Sequence, residues 1–451
     1  MTRRGRYSSD NLIRSEDLPT MRGTCMQLPA KIDDLEEKQR WEQQLRDHMV
    51  PKIVDLFCGA GGMSEGFVNA GFAVVAAVDH EKYACETFAT NIPARVICTD
   101  ISRIEDPATI LEGLEYTSID VIVGGPPCQG FSSVGRARIL SLVEEQQRAV
   151  LARNELYQQF FRFIEYFRPP FFIMENVPTL IKFGNGEYFR GIQQECERLG
   201  YFYEAQVIDA ADYGVPQVRR RLFIIGSRVG KLFRWPRPTH GNRGVPLLDA
   251  IGDLPPVLPP SLEECLLYPP DRVRSIYQQL MRSRVLRRDR EKIYDHVVRP
   301  VREDDKVIFS QMKPGDRYID INELYQRYNS RSFKDKYYML RPDLPGVTIT
   351  AHLAKDGYRY IHWDSCQHRT ISVREAARIQ SFGDHFRFAG YRSSRFKQIG
   401  NAVPPLLSEA IAQQVLRAIQ IHRGFARGKI TLQPGLPGHE QWSELVEYSD
   451  E

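Results

Sequence analysis

Between Lys52 and Ser227 short β-branched runs alternate with helical stretches, and this rhythm constrains the fold more than any other feature. The runs are Ile53–Phe57, Ala73–Asp79, Arg95–Asp100, Asp120–Gly125, Phe171–Asn176, Ala205–Asp209 and Leu222–Ser227. A strand that is followed by a crossover helix returns in the same direction, so the pattern predicts a mostly parallel α/β sheet with helices packed on it. One such helix is expected from Leu156 to Phe167, with apolar residues at 156, 160, 163, 164 and 167, stopped by Pro169-Pro170.

The flanking regions have a different texture. Residues 1–49 carry no sustained apolar period and read as an extension, with a charged helix possible from Ile32 to Met49. From Lys231 to Leu340 the alternation fades, prolines cluster at 255–260, and the stretch Arg272–Lys292 holds eight Lys or Arg against two acids. That segment reads as a less regular domain facing an anion. Past Arg427 the chain is Gly/Pro-rich and acidic, as a tail would be. Lys plus Arg exceed Asp plus Glu by 61 − 57 = 4, a mild excess compatible with a polyanionic partner. Charged residues at 26% and hydrophobic residues at 42% exclude collagen-like and disordered classes. No apolar run is long enough to span a bilayer, so a cytosolic location is expected. Eight cysteines, at 25, 58, 85, 98, 128, 196, 265 and 366, form no Cys-x-x-Cys pair, which argues against a disulfide framework or a zinc site; no metal is expected.

Several strings at the ends of the expected strands could carry chemistry. Asp55-Leu-Phe-Cys-Gly59-Ala-Gly61-Gly62 follows the first strand and opens a helix, where glycines let a ligand approach backbone N–H groups, although a tight turn without a ligand has the same composition. Asp79 ends the second strand, placed either to bind ribose hydroxyls or to cap a helix. Asp100-Ile101 ends the third. The spacing Gly59-x-Gly61-Gly62 is not that of a dinucleotide fingerprint, and an adenosyl group without a pyrophosphate suits it better. Gly124-Gly-Pro-Pro-Cys128-Gln-Gly-Phe-Ser132 puts a thiol on a stiffened loop beyond the fourth strand. Glu175-Asn176-Val177 ends the fifth on the same edge, so a carboxyl could converge with that thiol; a surface acid is the plainer alternative. In Gln217-Val-Arg219-Arg-Arg221, strand alternation sets Arg219 and Arg221 on one face, or the string is a solvated basic edge. Gln398-Ile-Gly-Asn401-Ala402-Val-Pro-Pro405 opens the last helical stretch.

Together with the run Arg369-Thr-Ile-Ser-Val-Arg-Glu-Ala-Ala-Arg378, these strings in this order resemble the DNA (cytosine-5) methyltransferase family over residues 53–418. The resemblance implies a Rossmann-like S-adenosylmethionine-dependent fold with a second, smaller target-recognition domain. Its boundaries are expected at 50–230 for the catalytic domain, 231–380 for target recognition, 381–395 for a hinge and 396–426 for a C-terminal helix that completes the catalytic domain, before a tail over 427–451. It further implies Cys128 as nucleophile, Glu175 at N3 and the amino group of the ring, and Arg219 and Arg221 on the flipped base and its phosphates. S-adenosylmethionine would be held by Phe57, Gly59, Ala60, Gly61, Gly62, Asp79, His80, Asp100, Ile101, Pro127, Leu156, Asn401 and Ala402 and leave as S-adenosylhomocysteine. The family often carries a bulky apolar residue where this chain has His80. Double-stranded DNA would be the partner, contacted by Ser132, Arg136, Arg138, Gln217, Arg287 and Arg288. The chain is expected as a nucleoid-associated cytoplasmic monomer of bacterial type, working with a cognate restriction endonuclease or alone.

The chemistry explains the residue types. C5 of cytosine is a poor nucleophile, and a thiolate adding to C6 makes it enamine-like. A thiol with pKa near ~8.5 needs positive charge nearby, which the arginines supply. The base must leave the stack, so a closing loop is expected over 130–153, hinged at Gly130 and Gly135. Two other functions compete. An RNA cytosine-5 methyltransferase would carry Cys-Phe-Thr after Glu-Asn-Val, where this chain has Pro178-Thr-Leu-Ile; a catalytically silent DNA-binding relative would lack Cys128, Glu175 or Gly59, all present.

Overall fold

The computed structural model describes residues 26–28, 35–114, 118–127, 156–241, 244–321 and 337–426. At its centre is an eight-stranded sheet of β1 (Met26–Leu28), β2 (Lys52–Leu56), β3 (Ala73–Asp79), β4 (Arg95–Cys98), β5 (Val121–Gly124), β6 (Phe171–Asn176), β7 (Phe202–Asp209) and β8 (Arg220–Ser227). The order across the sheet is β1-β4-β3-β2-β5-β6-β8-β7. Strands β4, β3, β2, β5 and β6 run parallel, whereas β8 lies antiparallel between β6 and β7. All seven expected strands are present. β2 is buried at every residue, the signature of a central strand covered on both faces.

One face is covered by α2 (Gly62–Asn69), α3 (Lys82–Asn91) and the C-terminal α11 (Pro405–Ala426); the other by α1 (Leu35–Arg46), α4 (Leu156–Phe167) and α5 (Glu187–Leu199). On α4, Phe160, Phe161, Phe163 and Ile164 are buried, each side chain stabilising the fold by about 1.5–3 kcal/mol in transfer free energy. α11 packs directly on α2, where a Cβ added to Gly66 would lie 2.5 Å from Glu409 N, so only glycine allows the two helices this close.

The stretch 1–49 is more than an extension. β1 extends the sheet beside β4, and Trp41 on α1 donates its indole N–H to Val74 O at 3.0 Å. Leu45, four residues on, is buried. Two apolar residues at i and i+4 make a stripe too narrow to stand out in a charged helix, yet enough to dock it.

From 244 onward the chain is irregular, as its composition suggested. It carries α6 (Leu247–Ile251), β9 (Cys265–Leu267) paired antiparallel with β10 (Lys292–Tyr294), α7 (Ile276–Arg282), α8 (Glu303–Gln311), α9 (Val373–Ile379) and α10 (Arg392–Asn401). Its packing divides in two. Leu247, Tyr268, Met281, Ile293 and Val297 join the core on the α2 face of the sheet. Val301, Ile308, Phe309, Tyr318, Tyr337, Met339 and Ile361 instead form a small core of their own. The stretch 381–395, expected as a hinge, is tightly packed: Phe382, Phe386 and Phe388 are buried against one another.

α9 is buried along its whole length. Its arginines are neutralised in place: Arg378 bonds Asp253 at 2.6 Å and Asp384 at 2.7 Å, and Arg374 bonds Asp295 at 3.0 Å, while Arg369, just before the helix, holds its Glu375 at 2.7 Å. Buried charges persist only when paired and hydrogen-bonded, and these pairs tie 253, 295 and 384 to one helix.

Candidate active site

Strand order reverses direction at the β2/β5 pair: from β2 the chain moves outward to β3 and β4, and from β5 outward to β6. In open α/β sheets ligands bind beyond the carboxyl ends of the strands at such a point. Leu56 pairs with Gly124 there, so the turn after β2 and the loop after β5 leave the sheet side by side. Gly124 has no room for a side chain, since an added Cβ would sit 2.3 Å from Leu56 O.

The turn after β2 is tightly specified. Phe57, Gly59 and Gly61 all take positive φ, at 61°, 55° and 94°. The glycines nonetheless serve different ends. Among the described residues a Cβ on Gly59 would meet nothing within 4 Å; on Gly62 it would meet Val403 O at 2.3 Å. Gly61 and Gly62 are packing positions, as is the buried Ala60. Beneath the turn, Ser64 donates to Asp55 at 2.6 Å, and burial, opposed by that hydrogen bond, pushes the Asp55 carboxyl up to about 7.

At the end of β3, Asp79 accepts from Gly59 N and Glu81 N, both at 2.8 Å. Its carboxylate thus braces the glycine turn, and burial raises its pKa. His80 beside it is largely exposed. Asp100 accepts from the Ser102 N–H at 3.0 Å and hydroxyl at 2.7 Å, and these bonds outweigh burial to hold its carboxyl below the usual range. Ile101 is buried, Leu156 and Phe57 half-buried on the same core, and Asn401 exposed at the end of α10. A glycine backbone between two strand-end acids fits an adenosyl ligand: the acids supply acceptors for ribose and adenine donors, and the turn supplies close backbone approach.

On the other side of the switch point, Glu175 stands against the loop after β5. A Cβ on Gly125 would lie 3.2 Å from Glu175 Oε2, and Asn176 Nδ2 donates to Pro126 O at 3.2 Å. Arg221 Nε approaches Glu175 Oε1 at 3.0 Å, with both side chains about one-seventh exposed (15% and 13%). Burial raises the Glu175 pKa against the pull of Arg221 and Arg219. A carboxyl that resists ionisation therefore sits at the base of the loop that runs through Pro127 to Cys128. Cys128, Ser132, Arg136 and Arg138 lie outside the described residues.

Four expected DNA or base contacts, Gln217, Arg219, Arg287 and Arg288, are set in surroundings the sequence did not show. Gln217 is fully buried: its amide donates to Ile379 O at 2.9 Å and pairs with Gln380, while its carbonyl accepts from Ile349 N at 3.0 Å. It presents nothing to a ligand. Arg219, 1% exposed, donates to Ile349 O at 2.6 Å, Ala402 O at 2.9 Å and Gly400 O at 3.1 Å. Strand alternation gave its face correctly but could not show that another segment covers that face. Arg287 and Arg288 are exposed, yet the basic stretch around them turns toward the body: Arg284 bonds Glu65 and Asn69 on α2, and Arg282 bonds Asp384 at 3.1 Å. Arg284 thus spans α2 from Glu65 in its first turn to Asn69 at its end.

Other residues at the site escaped the sequence. Gly125 and Asn176 position the loop against Glu175, and Thr348 and Ile349 lie on the arginine edge, with Thr348 Oγ1 donating to Val218 O at 2.6 Å. Asn176 stood inside a recognised string, but nothing signalled the return of 346–349.

A twisted sheet with this switch point, an adenosyl-type turn on one side and a carboxyl–arginine pair on the other defines a Rossmann-like group-transfer enzyme of the methyltransferase class. The profile of the C-5 cytosine-specific DNA methylases matches residues 51–417, and the chain belongs to that family. It is a DNA (cytosine-5)-methyltransferase, and the family uses S-adenosylmethionine. The chain is 34% identical to the type II methyltransferase M.AgeI of Thalassovita gelatinovora, over 82% of this chain and 100% of the relative. It is likewise 34% identical to the type II methyltransferase M1.HphI of Haemophilus parahaemolyticus, over 81% and 86%. Among solved structures, a prophage-encoded DNA modification methyltransferase from E. coli aligns with TM-score 0.65 and 25% identity, covering 82% of this chain and 99% of that one. No helix among the described residues is long and apolar enough to cross a membrane.

Proposed function

We infer that this chain methylates cytosine in one short double-stranded DNA sequence, with Cys128 as nucleophile and Glu175 as the acid at N3. The observation that supports the assignment is the approach of the Glu175 carboxyl to Gly125, three residues before Cys128, with Asn176 holding Pro126 O. Arg221 holds Glu175 and faces the flipped base; Arg219, buried beneath it, contributes positive potential and ties the edge to the C-terminal half. Cys128, as thiolate, adds to C6, and the electron pair displaced toward N3 is met by the Glu175 proton, leaving C5 nucleophilic. S-adenosylmethionine, when bound, supplies the electrophilic methyl group. Asp79 and Asp100 would hold it at ribose and adenine, with Gly59 giving backbone access and Asn401 closing the far side. Loss of the C5 proton and elimination of the Cys128 thiolate restore aromaticity and free the enzyme.

Target choice lies in the unit built on residues 301–361, not in the basic stretch 272–292. Residues 346–349 of the adjoining chain sit directly on the Val218–Arg219 edge, whereas 272–292 is anchored on α2. The setting is a bacterial type II system, in the cytoplasm on the nucleoid, with a cognate endonuclease as functional partner; the type II names of the relatives support it. Strand-resolved bisulfite sequencing of a methylation-free host expressing the chain tests activity and target together. A single motif fully protected from conversion is expected. Grafting 301–361 onto a relative of different target should transfer the motif; an active chimera that keeps the recipient's motif would overturn the placement.

A further inference from the structure

Besides the switch point, the structure holds a second concave feature rich in positive charge. A cavity of about 430 Å³ is lined by Arg299, Pro300, Ala354, Tyr391, Arg392, Ser393 and Phe396. It lies where the turn Ala351–Ala354 meets the start of α10. That turn follows directly on Thr348–Thr350, which contact the arginine edge of the active site.

Two arginines side by side in one cavity repel each other unless an anion lies between them. Here the walls contain no carboxylate, and among the described residues neither guanidinium forms an ion pair. Each is fixed by one nitrogen on a backbone carbonyl: Arg299 Nη2 on Leu353 O at 2.5 Å, and Arg392 Nη1 on Val298 O at 3.1 Å. Arg299 is also braced over the Phe396 ring at 5.0 Å, and its Nε is buried beside Gly357 with no partner among the described residues, so the donors it offers a ligand are the outer nitrogens of the guanidinium. The nearest acid that Arg299 feels, Asp356, accepts from the Tyr358 N–H at 3.0 Å. Elsewhere the fold pairs its arginines closely: Arg395, three residues on, holds Glu264 at 2.6 Å and Asp295 at 2.9 Å. Two immobilised guanidinium forks with donors left over, the exposed Ser393 hydroxyl, and an α10 start without a side-chain cap together make a preorganised acceptor for a tetrahedral oxyanion.

We propose that Arg299, Arg392 and Ser393 form a seat for a phosphate group, filled by a backbone phosphodiester of bound DNA outside the target base pair. Its position beside the turn that continues the arginine edge favours DNA over a free anion, and this choice of source rests on the DNA-methylating function above. Such a contact positions the duplex without reading its sequence.

The test uses the full chain, wild type, Arg392→Gln and Ser393→Ala. Binding to duplexes with and without the methylated motif is measured across a salt series, cofactor affinity by calorimetry, and inorganic phosphate binding to protein alone by titration. Arg392→Gln is expected to weaken both duplexes equally, by about fivefold to tenfold, and to reduce the log–log salt slope by about one, with cofactor affinity unchanged. Ser393→Ala should act in the same direction and less. If phosphate titrates wild type but not Arg392→Gln while DNA binding is unaltered, the seat stands and its occupant is a free anion. Unchanged DNA binding together with no phosphate binding refutes the seat, as does weakening confined to the cognate duplex. A wild-type chain that binds no DNA would defeat the functional assignment, while the phosphate arm would still decide the seat.

Discussion

Arg219 offers the sharpest test of how this site is held together. Its guanidinium is buried and spends three hydrogen bonds on the carbonyls of Ile349, Gly400 and Ala402, so it joins the start of β8 to the turn at 349 and to the junction between α10 and α11. Among the described residues no carboxylate pairs with it directly; burial, with the nearby Arg221, holds its pKa well below the usual arginine value despite the pull of Glu175. Replacing it with Met removes a costly buried charge but leaves the Ile349 and Gly400 carbonyls without that donor, while Ala402 O keeps the Gln380 amide. Hydrogen bonds to a charged donor contribute about 1.5–3 kcal/mol each, and the relieved desolvation offsets part of their sum. The expected loss is about 3–5 kcal/mol, as when one partner of a buried charged cluster is removed. Urea unfolding reads this directly. Calorimetry should also show weakened S-adenosylmethionine binding, because Gly400 and Ala402 flank Asn401. Arg221→Met, two residues on and about one-seventh exposed, breaks its pair with Glu175, so it should slow methylation without weakening S-adenosylmethionine binding. If Arg219→Met keeps wild-type stability and cofactor affinity and loses only DNA-dependent turnover, Arg219 is a substrate contact and the clamp assignment is wrong.

Burial raises the Glu175 pKa, so its acid form persists to higher pH than an ordinary glutamate, and single-turnover methylation should fall as pH rises through that raised value. Arg221→Met removes a charge that lowers the Glu175 pKa and should move the falling limb upward in pH; a limb that moves downward contradicts the pairing. Cys128→Ser should abolish turnover and the covalent trapping of 5-fluorocytosine DNA while duplex binding persists; residual trapping would exclude Cys128. Asp79→Ala should weaken S-adenosylmethionine by about 1.5–3 kcal/mol by calorimetry, and unchanged affinity there and in Asp100→Ala would sink both assignments. Gly62→Ala should lower the unfolding midpoint, because its Cβ would press on Val403 O at 2.3 Å, whereas Gly59→Ala, unobstructed among the described residues but at φ 55°, should cost about 1–2 kcal/mol in strain and act mainly on cofactor binding.

Much of the molecule was legible in the chain because the evidence for it is local. Parallel strands buried on both faces must be short apolar runs, and their crossovers must be helices, so the seven strands and their common ligand edge could be read directly. The glycine turn could be read as well, since positive φ and close approach demand particular residues at adjacent positions. Tertiary structure decided what depends on segments far apart in sequence. Whether Arg219 meets a base or a carbonyl depends on where Ile349 and Ala402 return, 130 and 183 residues later. Gln217 was hidden in the same way by Ile349 and Ile379. The basic stretch 272–292 shows the same limit for charge: composition counts cations, but only the fold revealed that Arg282 and Arg284 already have acids to hold. A side chain's type sets the bonds it can make, and which of those bonds remain for a ligand is set by the neighbours that the fold brings to it.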